Sequence, residues 1–375
     1  MKIHLLGDSL VQTKQPTHTP FYGSWGEALL FFLRGDVTVF NYALGGRSSR
    51  SFLNEGRFYD KGIFTVDQAP RGMGPALPRI EKGDYVLIHF MTNDDSSPPF
   101  RTELTTRVPL GQPDENGIYP TIKPTEDMLV STDYWIPGYP ERLYEVPNRT
   151  EKDVQSLMET VAQLLKSCGD VYFPYDCPAT YKGYLKVYID MVREKGAIPI
   201  LVIPPCLHMF SGDKILPVGG VFGGRDAYNE FTYVEAVRQL SRETDTPAMD
   251  LFTPYRAVYE YLGPDLSSYF HNISIAASDI ANIDALYDDY AKAVETQWLS
   301  DYNRRRATGD FLAQDYNHSN HFGAFYQAAV LVENLIQADI LTDCLLTTPK
   351  AMPGVPDKLV AHMEYLKNRL KFVKL

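Results

Sequence analysis

The chain has 375 residues, 44% of them hydrophobic, which is enough for one large α/β domain carrying insertions. Its formal net charge of −11 argues against a polyanion partner, because binding a phosphate backbone needs a basic stripe, so nucleic-acid binding is set aside. No apolar run reaches the length of a membrane span, and the acidity reads as a solubility feature.

Taken in chain order, apolar runs at 3–6, 37–41, 85–91, 198–203 and 248–251 read as buried strands. Amphipathic patterns at 25–33, 181–195, 233–243 and 323–338 read as helices between or after them. Strands alternating with helices predict a three-layer α/β/α domain of flavodoxin type around about five parallel strands. Two stretches break that rhythm. Residues 96–150 are rich in Pro, Tyr and Thr without a sustained period, and 264–308 form a second interruption, part of it helical in pattern. The expected organisation is a single domain over 1–375, with insertions at about 96–180 and 264–308 and a closing amphipathic helix at about 357–374.

The four cysteines (Cys168, Cys177, Cys206 and Cys344) form no Cys-x-x-Cys pair and no disulfide spacing, and the short apolar start is no signal-peptide core. A reduced, cytoplasmic protein is the expectation.

Polar residues gather just past the strand ends. Gly7-Asp8-Ser9 follows the first strand, "NYALGGRSSRSF" (41–52) the second, and "HFMTNDD" (89–95) ends the third. "DYNHSNHFGAF" (315–325) opens the last long helix. In a doubly wound sheet such ends converge on one crevice. That set supplies the parts of acyl transfer to water. A serine hydroxyl is a weak nucleophile that needs a base, and His318 can serve Ser9, with Asp315 three residues earlier to hold its tautomer. The Ser9 N–H, the Gly46 N–H and the Asn93 amide are candidate oxyanion donors.

With those residues in that order, the sequence resembles the GDSL, or SGNH, hydrolases, and within them the rhamnogalacturonan acetylesterases. Gly7-Asp8-Ser9-Leu10 matches the first block, Asn41, Gly46 and "GGRSSRSF" the second, Asn93-Asp94 the third and Asp315-x-x-His318 the last. Two positions depart from the pattern: Met91 and Ala43 stand where the family usually has glycine. The resemblance implies Ser9 as nucleophile, His318 and Asp315 completing a triad, and no cofactor. It also implies acetate as the acyl group and the hydroxyl of a plant-wall sugar as the alcohol.

Other features have competing readings. Asp8 reads as a structural carboxylate at a strand end. His318 and His321 form a His-x-x-His pair, but no third ligand volunteers and no metal is expected. Arg47 and Arg50 suit an acidic sugar or an internal anchor equally well. Tyr119, Tyr134, Trp135, Tyr139 and Tyr144 suit a sugar-stacking wall or the small core of the first insertion. "GGVFGGR" (219–225) lacks the lysine of a phosphate loop and reads as a flexible loop. The expected partner is a small-molecule or oligosaccharide ester, with neither membrane nor nucleic acid involved.

Overall fold

A computed structural model describes residues 1–13, 23–54, 56–59, 75–96, 108, 110–111, 113–121, 180–215, 232–267, 270–271, 317–319 and 321–347. Along the chain these form β1 (Lys2–Gly7), α1 (Trp25–Ala28), β2 (Thr38–Asn41), α2 (Ser49–Asn54), β3 (Tyr85–His89) and α3 (Thr92–Ser96). They continue with α4 (Tyr181–Glu194), β4 (Ile198–Ile203), α5 (Thr232–Thr244), β5 (Ala248–Asp250), α6 (Phe252–Ser267) and α7 (His321–Gln337). The expected closing helix, the helical part of the second insertion and the 219–225 loop lie outside the described residues.

The chain divides into two compact units. The first comprises Met1–Asp8, Thr38–Pro204 and Pro217–Met249. Its sheet has the order β2-β1-β3-β4-β5, with β1 parallel to both β2 and β3 and β3 parallel to β4. This is the flavodoxin-type order expected of alternating strands and helices. The strand sequences explain it: "IHLL" and "ILVI" are apolar at successive positions, as a strand buried on both faces requires, and every residue from Ile3 to Gly7 is buried. Each such Leu or Ile stabilises the fold by roughly 1.5–3 kcal/mol.

His4, in the middle of β1, is the exception in that apolar run. Its Nε2 lies 3.0 Å from Asp84 Oδ2, and its ring stacks on Phe40 at 5.2 Å and Tyr42 at 5.8 Å. α4 packs on β3, β4 and α5. Thr180 caps it by accepting the Gly183 N–H at 3.2 Å. At the other end the turn into β4 passes through Gly196, whose φ of 72° is left-handed and suits glycine.

The second unit comprises Ser9–Val37, Pro205–Leu216 and Asp250–Leu375. α1 and the 3₁₀ turn after it both pack on α7, Phe31 of that turn and Phe325 having ring centroids 5.4 Å apart. The expected helix over 25–33 is a single α-turn continued as a 3₁₀ turn, Leu29–Phe32. The pattern did not anticipate α2, which is polar and serine-rich, or α6, which carries Pro254 and breaks at Gly263 (φ 73°) before Pro264. A short antiparallel hairpin pairs Phe210–Ser211 with Lys214–Ile215. Among the described residues, no helix is long and apolar enough to cross a membrane.

Gly323, near the start of α7, passes directly beneath the backbone of Phe270, and a Cβ there would overlap the Phe270 carbonyl oxygen. Gly323→Ala is therefore expected to lower unfolding stability by about 1–3 kcal/mol, since backbone cannot yield as a flexible side chain does. Urea unfolding of the two proteins checks this; equal midpoints would refute it.

Candidate active site

In the second unit, Ser9 comes two residues after the end of β1 and is 7% exposed. The next turn is fastened to the start of α1. The Trp25 N–H donates to the Leu10 carbonyl at 3.0 Å, and the Ser24 hydroxyl donates to the Val11 carbonyl at 3.4 Å. His318 lies on the short segment before α7. That segment is held at its neighbour Ser319, which bridges antiparallel to His271, accepts the Gly23 N–H at 3.0 Å and receives the Gln327 amide on its hydroxyl at 2.7 Å. The result is a short Ser–His contact, with His318 Nε2 2.8 Å from Ser9 Oγ. In the tautomer with Nε2 unprotonated, that nitrogen accepts the hydroxyl proton, which is the geometry of a serine and its general base.

In the first unit, the ends of β1, β2 and β3 bring together Asp8, the 44–49 turn and α3. Leu44 N–H donates to the Gly7 carbonyl at 3.0 Å, which holds the turn beside the end of β1. Gly46 is exposed at the tip with φ 78°, and a Cβ there would meet no atom within 4 Å. The left-handed dihedral, not crowding, is what calls for glycine. The Asn93 Nδ2 donates to the Arg47 carbonyl at 3.1 Å and lies 3.4 Å from Asp8 Oδ2. Asp8 is wholly buried, in keeping with a structural carboxylate.

The arginines make internal contacts. Arg47 donates from Nη1 to the Gly45 carbonyl at 2.9 Å, and Arg50 is fully buried, where its charge favours ionised Asp94. Met91 and Ala43, the two departures from the family pattern, are both buried, and the Ala43 N–H donates to Asn41 Oδ1 at 3.1 Å. Asp315, Trp135, Tyr134, Tyr139 and Tyr144 lie outside the described residues. Tyr119 is described, and its backbone N–H donates to Gln239 Oε1 on α5 at 2.9 Å. Among the described residues, no group of three His, Cys, Asp or Glu is arranged to hold a metal. Cys206 and Cys344 are buried thiols that form no disulfide with one another, and the Cys344 thiol donates to the Leu341 carbonyl at 3.1 Å.

Two titratable groups escaped the sequence reading as site components, although both lie in the quoted "HFMTNDD". Burial drives the His89 pKa down to about 3, so the imidazole is neutral and its 3.9 Å approach to Asp8 is no ion pair. Burial pushes Asp94 up to about 7, against the opposing pull of hydrogen bonds from Ser49 and the charge of Arg50. The signal was the place of His89 at the end of a strand buried on both faces, and of Asp94 in the segment that follows it.

His89 has a pH consequence with a definite sign. Its folded pKa lies below the unfolded value, so as pH falls through about 6.5 the unfolded chain takes a proton that the folded one refuses. Stability is then lost progressively down to about pH 3, by about 2 kcal/mol at pH 5. Asp94 contributes with the opposite slope between about 4 and 7, because its raised pKa favours the folded state as pH falls. The test is thus a difference: between pH 7.5 and 5, wild type should lose about 2 kcal/mol more urea stability than His89→Gln. Parallel curves would show the reading of His89 to be wrong.

Comparison with known proteins bears out the resemblance. No family model matches the chain. It is 23% identical over 267 residues to a rhamnogalacturonan acetylesterase of Bacillus subtilis, covering 71% of this chain and 72% of that one. It is 25% identical over 278 residues to a probable rhamnogalacturonan acetylesterase of the same bacterium, covering 74% and 82%. A solved structure of another Bacillus subtilis protein aligns over 90% of this chain and 57% of that one, at 17% identity and a TM-score of 0.42.

Proposed function

We propose that this relative of the rhamnogalacturonan acetylesterases, a carboxylic ester hydrolase of the SGNH type, uses Ser9 as its nucleophile and His318 as its general base. The observation that carries the reading is the 2.8 Å contact between His318 Nε2 and Ser9 Oγ, made by residues 309 positions apart. In the reaction, His318 takes the Ser9 proton as Oγ attacks the ester carbonyl. The resulting oxyanion is stabilised by the Ser9 and Gly46 N–H groups and the Asn93 amide. The imidazolium then protonates the leaving alcohol, and a water activated by the same imidazole hydrolyses the acyl-enzyme. Asp315 holds the other ring nitrogen, as the resemblance implies. The chemistry needs no cofactor.

Asn93 enters this scheme on the resemblance; of the two bonds its amide donates, the long one of 3.4 Å to Asp8 Oδ2 is the one exchanged for the oxyanion, while the Arg47 carbonyl keeps the other. In this reading the acyl group is acetate and the alcohol a hydroxyl of a pectin-type oligosaccharide, the activity for which the relatives are named. Of the residues with competing readings, Arg47 and Trp135 are the two this proposal gives to the sugar.

Hydrolysis of p-nitrophenyl acetate and butyrate tests the proposal. Wild type should turn over acetate faster than butyrate and label at Ser9 with an organophosphonate. Ser9→Ala should lose both properties, with kcat falling by roughly 10⁴-fold or more. Asn93→Ala should retain labelling while kcat falls by about 10²–10³-fold. Wild type that neither labels nor hydrolyses would refute the esterase reading. A preference for butyrate would redirect it to longer acyl chains.

A further inference from the structure

The two segments of the first unit that carry Gly46 and Asn93 are tied together twice. One tie is the Asn93 amide on the Arg47 carbonyl, at 3.1 Å. The second is made by the next residue of α3. Asp94 is fully buried and accepts three hydrogen bonds from Ser49, the first residue of α2. The Ser49 N–H donates to Oδ1 at 3.0 Å and to Oδ2 at 3.2 Å, and its hydroxyl donates to Oδ1 at 2.5 Å. The same Ser49 is gripped from behind, its carbonyl accepting the Tyr188 hydroxyl of α4 at 2.6 Å. Asp94 is itself fastened at its backbone, where its carbonyl accepts the Val108 N–H at 3.0 Å.

A carboxylate removed from water is costly unless its hydrogen bonds are made, so this arrangement is retained against a desolvation penalty. Both ends of the Asp94–Ser49 contact are anchored to other parts of the unit. We propose that Asp94 is a positioning residue: by holding Ser49 it sets the 44–49 turn against α3, and so fixes the Gly46 N–H and the Asn93 amide relative to one another. This rests on the reading of those two groups as oxyanion donors. Asp94 itself contacts no substrate. Its effect is geometric, because an oxyanion donor displaced by about 1 Å loses most of its value in the transition state.

The experiment measures p-nitrophenyl acetate turnover of wild type, Asp94→Ala, Asp94→Asn and Ser49→Ala. Each protein's rate is divided by the concentration of Ser9 that an organophosphonate titrates. That normalisation removes unfolded molecules, so a purely structural role would lower melting temperature and titratable sites while leaving kcat per site unchanged. The expected result is a kcat per site about tenfold to hundredfold lower in Asp94→Ala, with KM little changed. Asp94→Asn keeps an acceptor oxygen for Ser49 and should recover most of the loss. Ser49→Ala removes only the hydroxyl bond and should cost about threefold or more, which keeps the test decisive if Asp94→Ala does not fold. Active wild type with unchanged kcat per site in Asp94→Ala, or in Ser49→Ala should the former not fold, overturns this proposal and leaves the esterase reading standing. Wild type without turnover or labelling overturns both.

Discussion

The parallel pairing of β1 with β2 on one side and β3 on the other is the constraint that organises the first unit. Parallel strands present their carboxyl ends at the same edge, so the segment leaving each strand emerges beside the segments leaving its neighbours. Gly7 stands opposite His89 in that register, and the Gly7 carbonyl receives the Leu44 N–H beyond the end of β2. Residues far apart in the chain, Asp8, Gly46 and Asn93, therefore emerge from one edge. The apolar runs that make the strands stable are thus also what delivers polar chemistry to a single place.

That arrangement places ionisable groups where water does not reach. His4 and Asp84 answer it by pairing with one another inside the sheet. His89 stays neutral, and Asp94 is divided between the cost of burial and the gain of three hydrogen bonds from Ser49. Such groups weaken a fold unless they are partnered, since desolvation of a charge costs more than a surface ion pair returns. Of these groups, His89 closes β3 and Asp94 lies five residues beyond it, whereas His4 and Asp84 sit within β1 and just before β3.

The second unit solves a different problem, that of holding one imidazole on a short connecting segment. Ser319 is fixed by a bridge to His271, by Gly23 and by Gln327, and four residues on Gly323 slides beneath Phe270 while its carbonyl accepts the Tyr255 hydroxyl at 2.7 Å. Behind it stands an aromatic cluster in which Tyr259 contacts His271 at 2.5 Å and both Tyr255 and Tyr326 pack on Phe270. His318 inherits its position from this framework, because a segment pinned at the next residue leaves its side chain few alternatives.

The amino-acid sequence alone was sufficient for the strands and most of the long helices, because periodicity is a local property written in neighbouring residues. Ser9 and His318 were singled out by the order of their motifs along the chain; that they lie 2.8 Å apart is a property of the fold. The sequence was silent on α2 and α6, whose polar or proline-containing stretches carry no clean helical period and are shaped by what packs against them. It was silent too on the backbone at Gly46, whose left-handed φ of 78° follows from the path of the turn. Arg47 illustrates the same limit: its side chain bonds the carbonyl of Gly45, a choice that depends on the path of the turn. Likewise, nothing in "TNDD" distinguishes Asp94 as the partner of Ser49, 45 residues earlier. Only tertiary structure decides such matters, because burial, desolvation and hydrogen-bond partners are properties of what surrounds a residue in space.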